Sequence, residues 1–273
     1  MFGDPVVHSL SPVIHNFALN WLGLDYRYLP FHVTRQRLPE ALQGFRVLGG
    51  VGLNATIPHK EALLPLMDEL SPAAVRIGAV NTVHIQDRLV GHNTDGYGFL
   101  AALREERPHL PQGVKALVLG AGGAARSVIH ALLEAGCETI FLANRTEDRA
   151  VALAHFFAPA DCDRRIRPMA LNVDRLPWSE VALLVNTTAL GLHGEMELPV
   201  SLHRLPEDGF VYDIVYGSQG TPLTRLAARN HRSSMDGLGM LVHQAAAAFA
   251  VWTGQDMPVA AVKAHLLQKN RIV

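Results

Sequence analysis

A glycine-rich turn, two arginines one strand further on, and a lysine and an aspartate in polar loops are the residues of this chain whose types and spacing suit chemistry. Gly120-Ala121-Gly122-Gly123-Ala124-Ala125 follows the apolar run at 115–119 and opens a helical pattern reaching about Ala135. There Gly120 permits a tight turn, Gly122 lets the backbone approach a pyrophosphate, and the N–H groups at the helix start receive it. Ala125 stands where a third glycine is frequent, a change the pattern tolerates. The plain alternative is a tight turn that binds nothing, but the strand before it and the helix after it favour a dinucleotide.

The next strand end bears on which dinucleotide. An NAD site usually places Asp or Glu roughly 20 residues beyond the glycines, on the ribose hydroxyls. This chain reads Asn144-Arg145-Thr146-Glu147-Asp148-Arg149 instead. Arg145 and Arg149 suit a 2′-phosphate through charge-assisted hydrogen bonds, where a carboxylate would repel it. Two solvated arginines are the alternative, yet a cation is disfavoured at a helix N-terminus, so NADP is expected.

Four polar clusters in the first third each end or follow an apolar segment, so their loops are expected to converge at one sheet edge. They are Ser9-Leu10-Ser11, the run at 54–60, the run at 78–82, and the run at 91–96. Taken singly, Ser11 has the plain reading of a helix cap, Asn81 of a turn residue and Asp95 of a helix start. Lys60 differs. It is expected in the first turn of a helix opened by Pro58, where the dipole opposes a cation, and a broken local rule at a loop edge marks a functional candidate. Lys60 with Asp95 is therefore the pair singled out.

Elements must position these groups, and the length of 273 residues suits two domains. Helices are expected at 11–22, 37–47, from 58 onward, at 239–253 and at 259–268. Strands are expected at 26–33, 51–57, 80–85, 88–92, 115–119, 139–143, 183–186 and 211–215, with a solvated loop at 161–168. The middle third is a βαβ series, which implies a parallel sheet with helices on both faces. The boundary is expected near 95–98, and the terminal helices fit either domain. A formal charge of −1 gives no sign of a nucleic-acid or anionic-membrane partner. Cys137 and Cys162 form no CxxC, the start shows no leader pattern, and the run at 239–254 is too short to span a bilayer. Those features point to a soluble cytoplasmic protein. The 14 histidines, His8 and His15 included, make no ligand pattern, so no metal is expected.

These residues, in this order, resemble the shikimate dehydrogenase family over essentially the whole chain. The matching stretches are Gly3-Asp4-Pro5, His8-Ser9-Leu10-Ser11-Pro12, His15-Asn16, 54–60, 78–82, 93–96, the 120–125 turn, and Asn144-Arg145-Thr146 with Arg149. Later come Val215-Tyr216, Thr221-Pro222-Leu223, 237–242 and Gln244-Ala245-Ala246. The resemblance implies an α/β protein with an N-terminal substrate domain and a Rossmann-type NADP-binding domain, the C-terminal helices returning to the first. Its bounds would be 1–96 with 241–273, and 97–240. It implies reversible NADPH-dependent reduction of 3-dehydroshikimate, a step of aromatic amino-acid biosynthesis. Ser9 and Ser11 would hold the substrate carboxylate, with Thr56 and Tyr216 nearby. Lys60, Asn81, Asp95 and Gln244 would bind ring hydroxyls, Lys60 and Asp95 being the catalytic pair. The 120–124 turn, Asn144, Arg145, Thr146, Arg149, Thr187, Gly237 and Met240 would bind the cofactor. A protonated lysine answers the chemistry, since an alkoxide formed from a ketone needs a proton and a nearby positive charge.

Three departures stand out. Ala55 replaces a usual valine, and Leu192 a common methionine after 186–188. Only Met1 and Phe2 precede the Gly3-Asp4-Pro5 turn, where members carry a full strand, so either the native start lies upstream or the domain works with a trimmed strand. Other readings are a paralogue acting on quinate or an amino analogue, a non-catalytic ligand-binding relative, and another two-domain NADP reductase. Intact Lys60 and Asp95 count against the second, and the Ser9/Ser11 and 237–244 signatures against the third. The partner is a small molecule, and the assembly a monomer or homodimer.

Overall fold

The computed structural model describes residues 1–7, 9–159, 164–191, 199–217 and 219–269, so His8, Cys162 and Leu192 lie outside it. The chain divides into two compact units, Met1–Gly98 with Leu241–Val273, and Phe99–Met240.

In the first unit β1 (Phe2–Gly3), α1 (Ser11–Trp21), β2 (Phe31–His32), α2 (Leu38–Val47) and β3 (Gly52–Asn54) come first. They are followed by β4 (Glu69–Leu70), α3 (Pro72–Ile77), β5 (Thr82–Ile85), β6 (Leu89–His92) and the start of α4 (Asp95–Glu106). β5 is antiparallel to β3 and β6, and β4 is parallel to β6. The two-residue β1 pairs in parallel with β2, and Phe2 bridges to Ala55. Leu38, Leu42, Leu53, Leu63, Val80 and Val83 form the core below this sheet.

Several local expectations give way here. The strand expected at 26–33 pairs as a strand only at Phe31–His32, with the two residues of β1. The helix expected from Pro58 is a run of turns with a short 3₁₀ helix at Leu64–Leu66, where Pro65 removes a backbone donor. Leu63 is still buried. Lys60 therefore sits in no helix, and the dipole argument for it fails. Ser11 does not cap α1: the cap position is Leu10, and the Ser11 N–H donates to Ser9 Oγ at 3.2 Å.

The second unit continues with β7 (Lys115–Leu119), α5 (Gly123–Glu134), β8 (Thr139–Asn144), α6 (Glu147–Phe157), β9 (Ile166–Ala170) and β10 (Leu183–Asn186). It ends with β11 (Phe210–Asp213), α7 (Pro222–Arg229), β12 (Ser233–Met235) and the first turn of α8 (Leu238–Thr253), which precedes α9 (Val259–Lys269). All pairings are parallel, in the order β12-β11-β10-β7-β8-β9. Both faces are buried: Ala116, Val118, Ile140, Leu142 and Val185 pack on one side, Leu117, Leu119, Phe141, Ala143 and Leu184 on the other. That alternation explains why these strands read as unbroken apolar runs. β9 replaces part of the loop expected at 161–168, of which residues 161–163 lie outside the described part. Among the described residues no helix is long and apolar enough to cross a membrane.

His15 joins α1 to the later helices of its unit. It is 1% exposed and stacks on Tyr28, with ring centroids 4.2 Å apart and planes 10° from parallel. Phe249 and Trp252 complete the cluster. Burial pulls its pKa down to about 3, so the folded ring stays neutral where the unfolded one is charged. Stability that His15 contributes is complete above its ordinary value of 6.5. Below that it falls by up to about 1.4 kcal/mol per pH unit, until the folded ring itself titrates. His15→Phe keeps the aromatic packing and removes the proton site. Its unfolding free energy should decline less steeply between pH 6.5 and pH 4 than that of the parent. Equal slopes in denaturant titrations would refute the assignment.

Candidate active site

The register of the small sheet decides where its polar residues meet. Thr82 lies opposite Asn54 on one side and His92 on the other. The end of β3, the start of β5 and the end of β6 consequently share one edge. Asn54, Asn81 and Asn93-Thr94-Asp95 gather there, the convergence expected for those loops. Lys60 arrives from the turns after Thr56, its carbonyl accepting from the Val80 N–H at 2.8 Å.

Lys60 Nζ donates to Asp95 Oδ2 at 2.6 Å, the two side chains being 19% and 8% exposed. The other carboxylate oxygen accepts from Asn81 Nδ2 at 2.8 Å. Asn81 Oδ1 in turn accepts the Thr94 N–H at 2.8 Å. A backbone N–H only donates, so the orientation of this amide is set by its surroundings. Asn81 Nδ2 also reaches Gln244 Oε1 on α8 at 3.5 Å. Asp95 opens α4, where the helix dipole favours a carboxylate. The outcome is a held ammonium, able to give a proton to an oxygen that gathers negative charge.

Ser9 and Ser11 meet each other at the start of α1, one half-buried and the other buried. Thr56 packs its methyl against Gly3, where an added Cβ would come within 2.4 Å of it. The structure thus joins Lys60, Asn81, Asp95 and Gln244 in one hydrogen-bonded group and seats Ser9 with Ser11 in another. Sequence reasoning missed Tyr28, whose hydroxyl donates to Asn54 Oδ1 at 2.7 Å, and gave Thr82 no role. A tyrosine in an expected strand carries no mark of such a contact. A cavity of about 220 Å³ in the same unit is lined by aromatic rings, Tyr28 and Trp252 among them, and not by Lys60 or Asp95.

In the second unit the sheet order reverses between β7 and β10, the switch point where such sheets bind ligands. Gly120 leaves β7 with φ +102°, and a Cβ there would meet Thr187 Oγ1 at 2.9 Å. Thr187 is itself held by donation to Leu119 O at 2.7 Å. Ala121 and Ala124 are half-buried beside it. A Cβ built on Gly122 or Gly123 meets nothing within 4 Å, so the start of α5 faces open space as a pyrophosphate cradle would. Asn144 ends β8 and donates to Thr146 O at 2.8 Å, shaping the turn that presents exposed Arg145 and Arg149. Gly237 allows the chain to pass Ile214 O, which a Cβ would meet at 1.9 Å. Tyr216 is half-buried, and Met240 packs into the core of this unit. Among the described residues no three His, Cys, Asp or Glu gather to hold a metal ion.

A parallel sheet with a glycine turn at its switch point, and a separate unit bearing a lysine–aspartate pair, define a two-domain dinucleotide-dependent oxidoreductase. Comparison with known proteins takes the assignment further. Residues 1–83 match the family model described as the shikimate dehydrogenase substrate binding domain. Residues 104–170 match that of shikimate / quinate 5-dehydrogenase, and residues 237–267 that of the shikimate 5'-dehydrogenase C-terminal domain. The chain is 47% identical over 270 residues to shikimate dehydrogenase (NADP(+)) of Magnetococcus marinus, covering 98% of this chain and 94% of that one. It is similar to the structure of shikimate 5-dehydrogenase from Thermus thermophilus in complex with NADP(H) and shikimate. There the TM-score is 0.84 and the identity 40%, over 98% and 97% of the two chains. Quinate dehydrogenase from Corynebacterium glutamicum, in complex with NAD, has a TM-score of 0.89 at 29% identity, over 98% and 97%. The chain belongs to the shikimate dehydrogenase family.

Asn81→Leu removes the only side chain that touches both Asp95 Oδ1 and the Thr94 N–H among the hydrogen bonds described above. Leaving such buried groups unsatisfied should cost about 1–3 kcal/mol in urea unfolding. No loss would mean that the amide is not needed to hold Asp95.

Proposed function

We propose that this protein catalyses the reversible NADPH-dependent reduction of 3-dehydroshikimate to shikimate, in aromatic amino-acid biosynthesis. The observation that carries the proposal is the Lys60–Asp95 pair, 2.6 Å apart and braced by Asn81. Bound NADPH would supply the hydride. The task left to the protein is the charge and proton on the carbonyl oxygen. Lys60 Nζ offers both, and Asp95 keeps the ammonium aimed. Lys60, Asn81, Asp95 and Gln244 would bind the ring hydroxyls, Ser9 and Ser11 the substrate carboxylate, with Thr56 and Tyr216 assisting.

The open start of α5 supports a pyrophosphate at Gly120, Ala121, Gly122, Gly123 and Ala124. Arg145 and Arg149, beside Asn144 and Thr146, suit the 2′-phosphate. Thr187, Gly237 and Met240 would line the remainder of the cofactor site. The substrate domain is then residues 1–96 with 241–273, and the NADP domain residues 97–240. Near-neutral charge and the free, buried Cys137 thiol, its pKa pushed up to about 11 by burial, suit a cytoplasmic monomer or homodimer.

Absorbance of reduced nicotinamide, followed with shikimate or quinate and NADP⁺ or NAD⁺, tests the reaction directly. Turnover on shikimate with NADP⁺ is expected, and preference for quinate or NAD⁺ would keep the family and overturn the substrate or cofactor. Lys60→Ala should lower kcat by roughly 10²–10⁴ with much less change in KM, and near-parental turnover would sink the role of Lys60. Arg145→Ala should weaken NADP binding and narrow its advantage over NAD. An unmoved preference would remove Arg145 from the 2′-phosphate site.

A further inference from the structure

The hydrogen bonds behind Asp95 form a chain whose direction is fixed at its two amide links. Asn54 Nδ2 donates to the backbone carbonyl of Asn81 at 3.2 Å and to Thr82 Oγ1 at 3.0 Å. A carbonyl only accepts, so the nitrogen of the Asn54 amide must face Asn81, and its oxygen must face Tyr28. The Tyr28 hydroxyl then donates its proton into Asn54 Oδ1 at 2.7 Å. Thr82, having accepted from Asn54, donates onward to Asn81 Oδ1 at 2.9 Å. Asn81 passes the pattern to Asp95 Oδ1 through Nδ2. Each donor points toward the carboxylate, and the Thr82 hydroxyl also lies 3.3 Å from Thr94 Oγ1.

The far end of this chain is mounted on the His15-Asn16 stretch of α1. Asn16 holds the peptide of Tyr28 from both sides, Nδ2 donating to Tyr28 O and Oδ1 accepting from Tyr28 N, each at 2.9 Å. His15, its neighbour, stacks on the Tyr28 ring. Burial raises the phenol pKa above its usual value, with Ser11 opposing in part, so the hydroxyl keeps its proton and stays a donor. Tyr28, Asn54 and Thr82 are each less than 9% exposed, so little water competes for these bonds.

We propose that Tyr28 is a positioning residue for the Lys60–Asp95 pair, acting through Asn54, Thr82 and Asn81. The proposal rests on the reading of Lys60 and Asp95 as the catalytic pair. Without the phenol, Asn54 Oδ1 loses its donor and Asn54 is held less firmly, so Thr82 and the Asn81 amide, which the Thr94 N–H still orients, lose support behind Asp95. Tyr28→Phe keeps the ring stack and removes only the hydroxyl, and Thr82→Val cuts the chain two links further on.

The experiment is shikimate oxidation by the parent, both single variants and the double variant, with rates normalised to bound NADP and folding checked by circular dichroism. Tyr28→Phe should lower kcat roughly three- to tenfold with KM within about twofold, as a lost hydrogen bond in the transition state does. The double variant should be no slower than the slower single, because both cut one chain. Unchanged kcat in Tyr28→Phe, or losses that multiply in the double variant, would overturn the proposal. A second readout needs no turnover: the side-chain amide signal of Asn81 in ¹⁵N NMR should move in Tyr28→Phe. If it stays while that of Asn54 moves, the chain does not transmit. A parent inert toward both shikimate and quinate sinks the catalytic reading instead, and the NMR result then judges the chain by itself.

Discussion

Asn81 stands where the ends of three segments meet, and one amide group there serves several polar or charged partners at once. Its oxygen accepts from the Thr94 N–H and its nitrogen donates to the Asp95 carboxylate, so the residue that precedes β5 organises the residues that follow β6. The antiparallel register makes this possible, since a strand that begins where its neighbours end brings both sets of loops to one edge. A shift of one residue would turn every side chain of β5 to the other face. The site therefore depends on the packing of Val80, Val83 and Leu53 below it as much as on its own polar contacts.

The Lys60–Asp95 contact is a partly buried ion pair, in which the desolvation of two charges offsets much of their attraction. Removing either partner leaves a charge with poor access to water. The start of α4 and the Asn81 amide lessen the cost of the carboxylate, while the turns after Thr56 bring the ammonium to it. The second unit solves a different problem, keeping segments of backbone close together and one helix start open. It does so by omission: Gly120 avoids Thr187, Gly237 avoids Ile214, and Gly122 and Gly123 leave the start of α5 bare. In one unit side chains are supplied, and in the other they are withheld.

The two halves of the chain were unequally legible. In the parallel sheet local pattern and tertiary environment agree, because strands buried on both faces must be apolar throughout. β7 and β10 accordingly fall where the sequence places them, and β8 and β11 differ by a residue or two at their ends. In the first unit short segments borrow their form from neighbours. The expected strand at 26–33 shrank to two residues, and the expected helix after Pro58 became turns that still bury Leu63. The dipole conflict expected at Lys60 does not exist, because Lys60 lies in no helix. What holds it is an ion pair that no local rule describes.

Residue types and spacing by themselves determined the class: a glycine turn between strand and helix, arginines at the next strand end, and a lysine with an aspartate in polar loops. Those are local signals, set by backbone sterics and side-chain charge. Only the tertiary structure decided the partners: which oxygen of Asp95 meets Lys60, which way Asn81 faces, and that Tyr28, from a segment with no visible motif, reaches Asn54. Hydrogen-bond direction depends on groups far apart in sequence arriving together, and a backbone N–H or carbonyl supplied by another segment is what settles it.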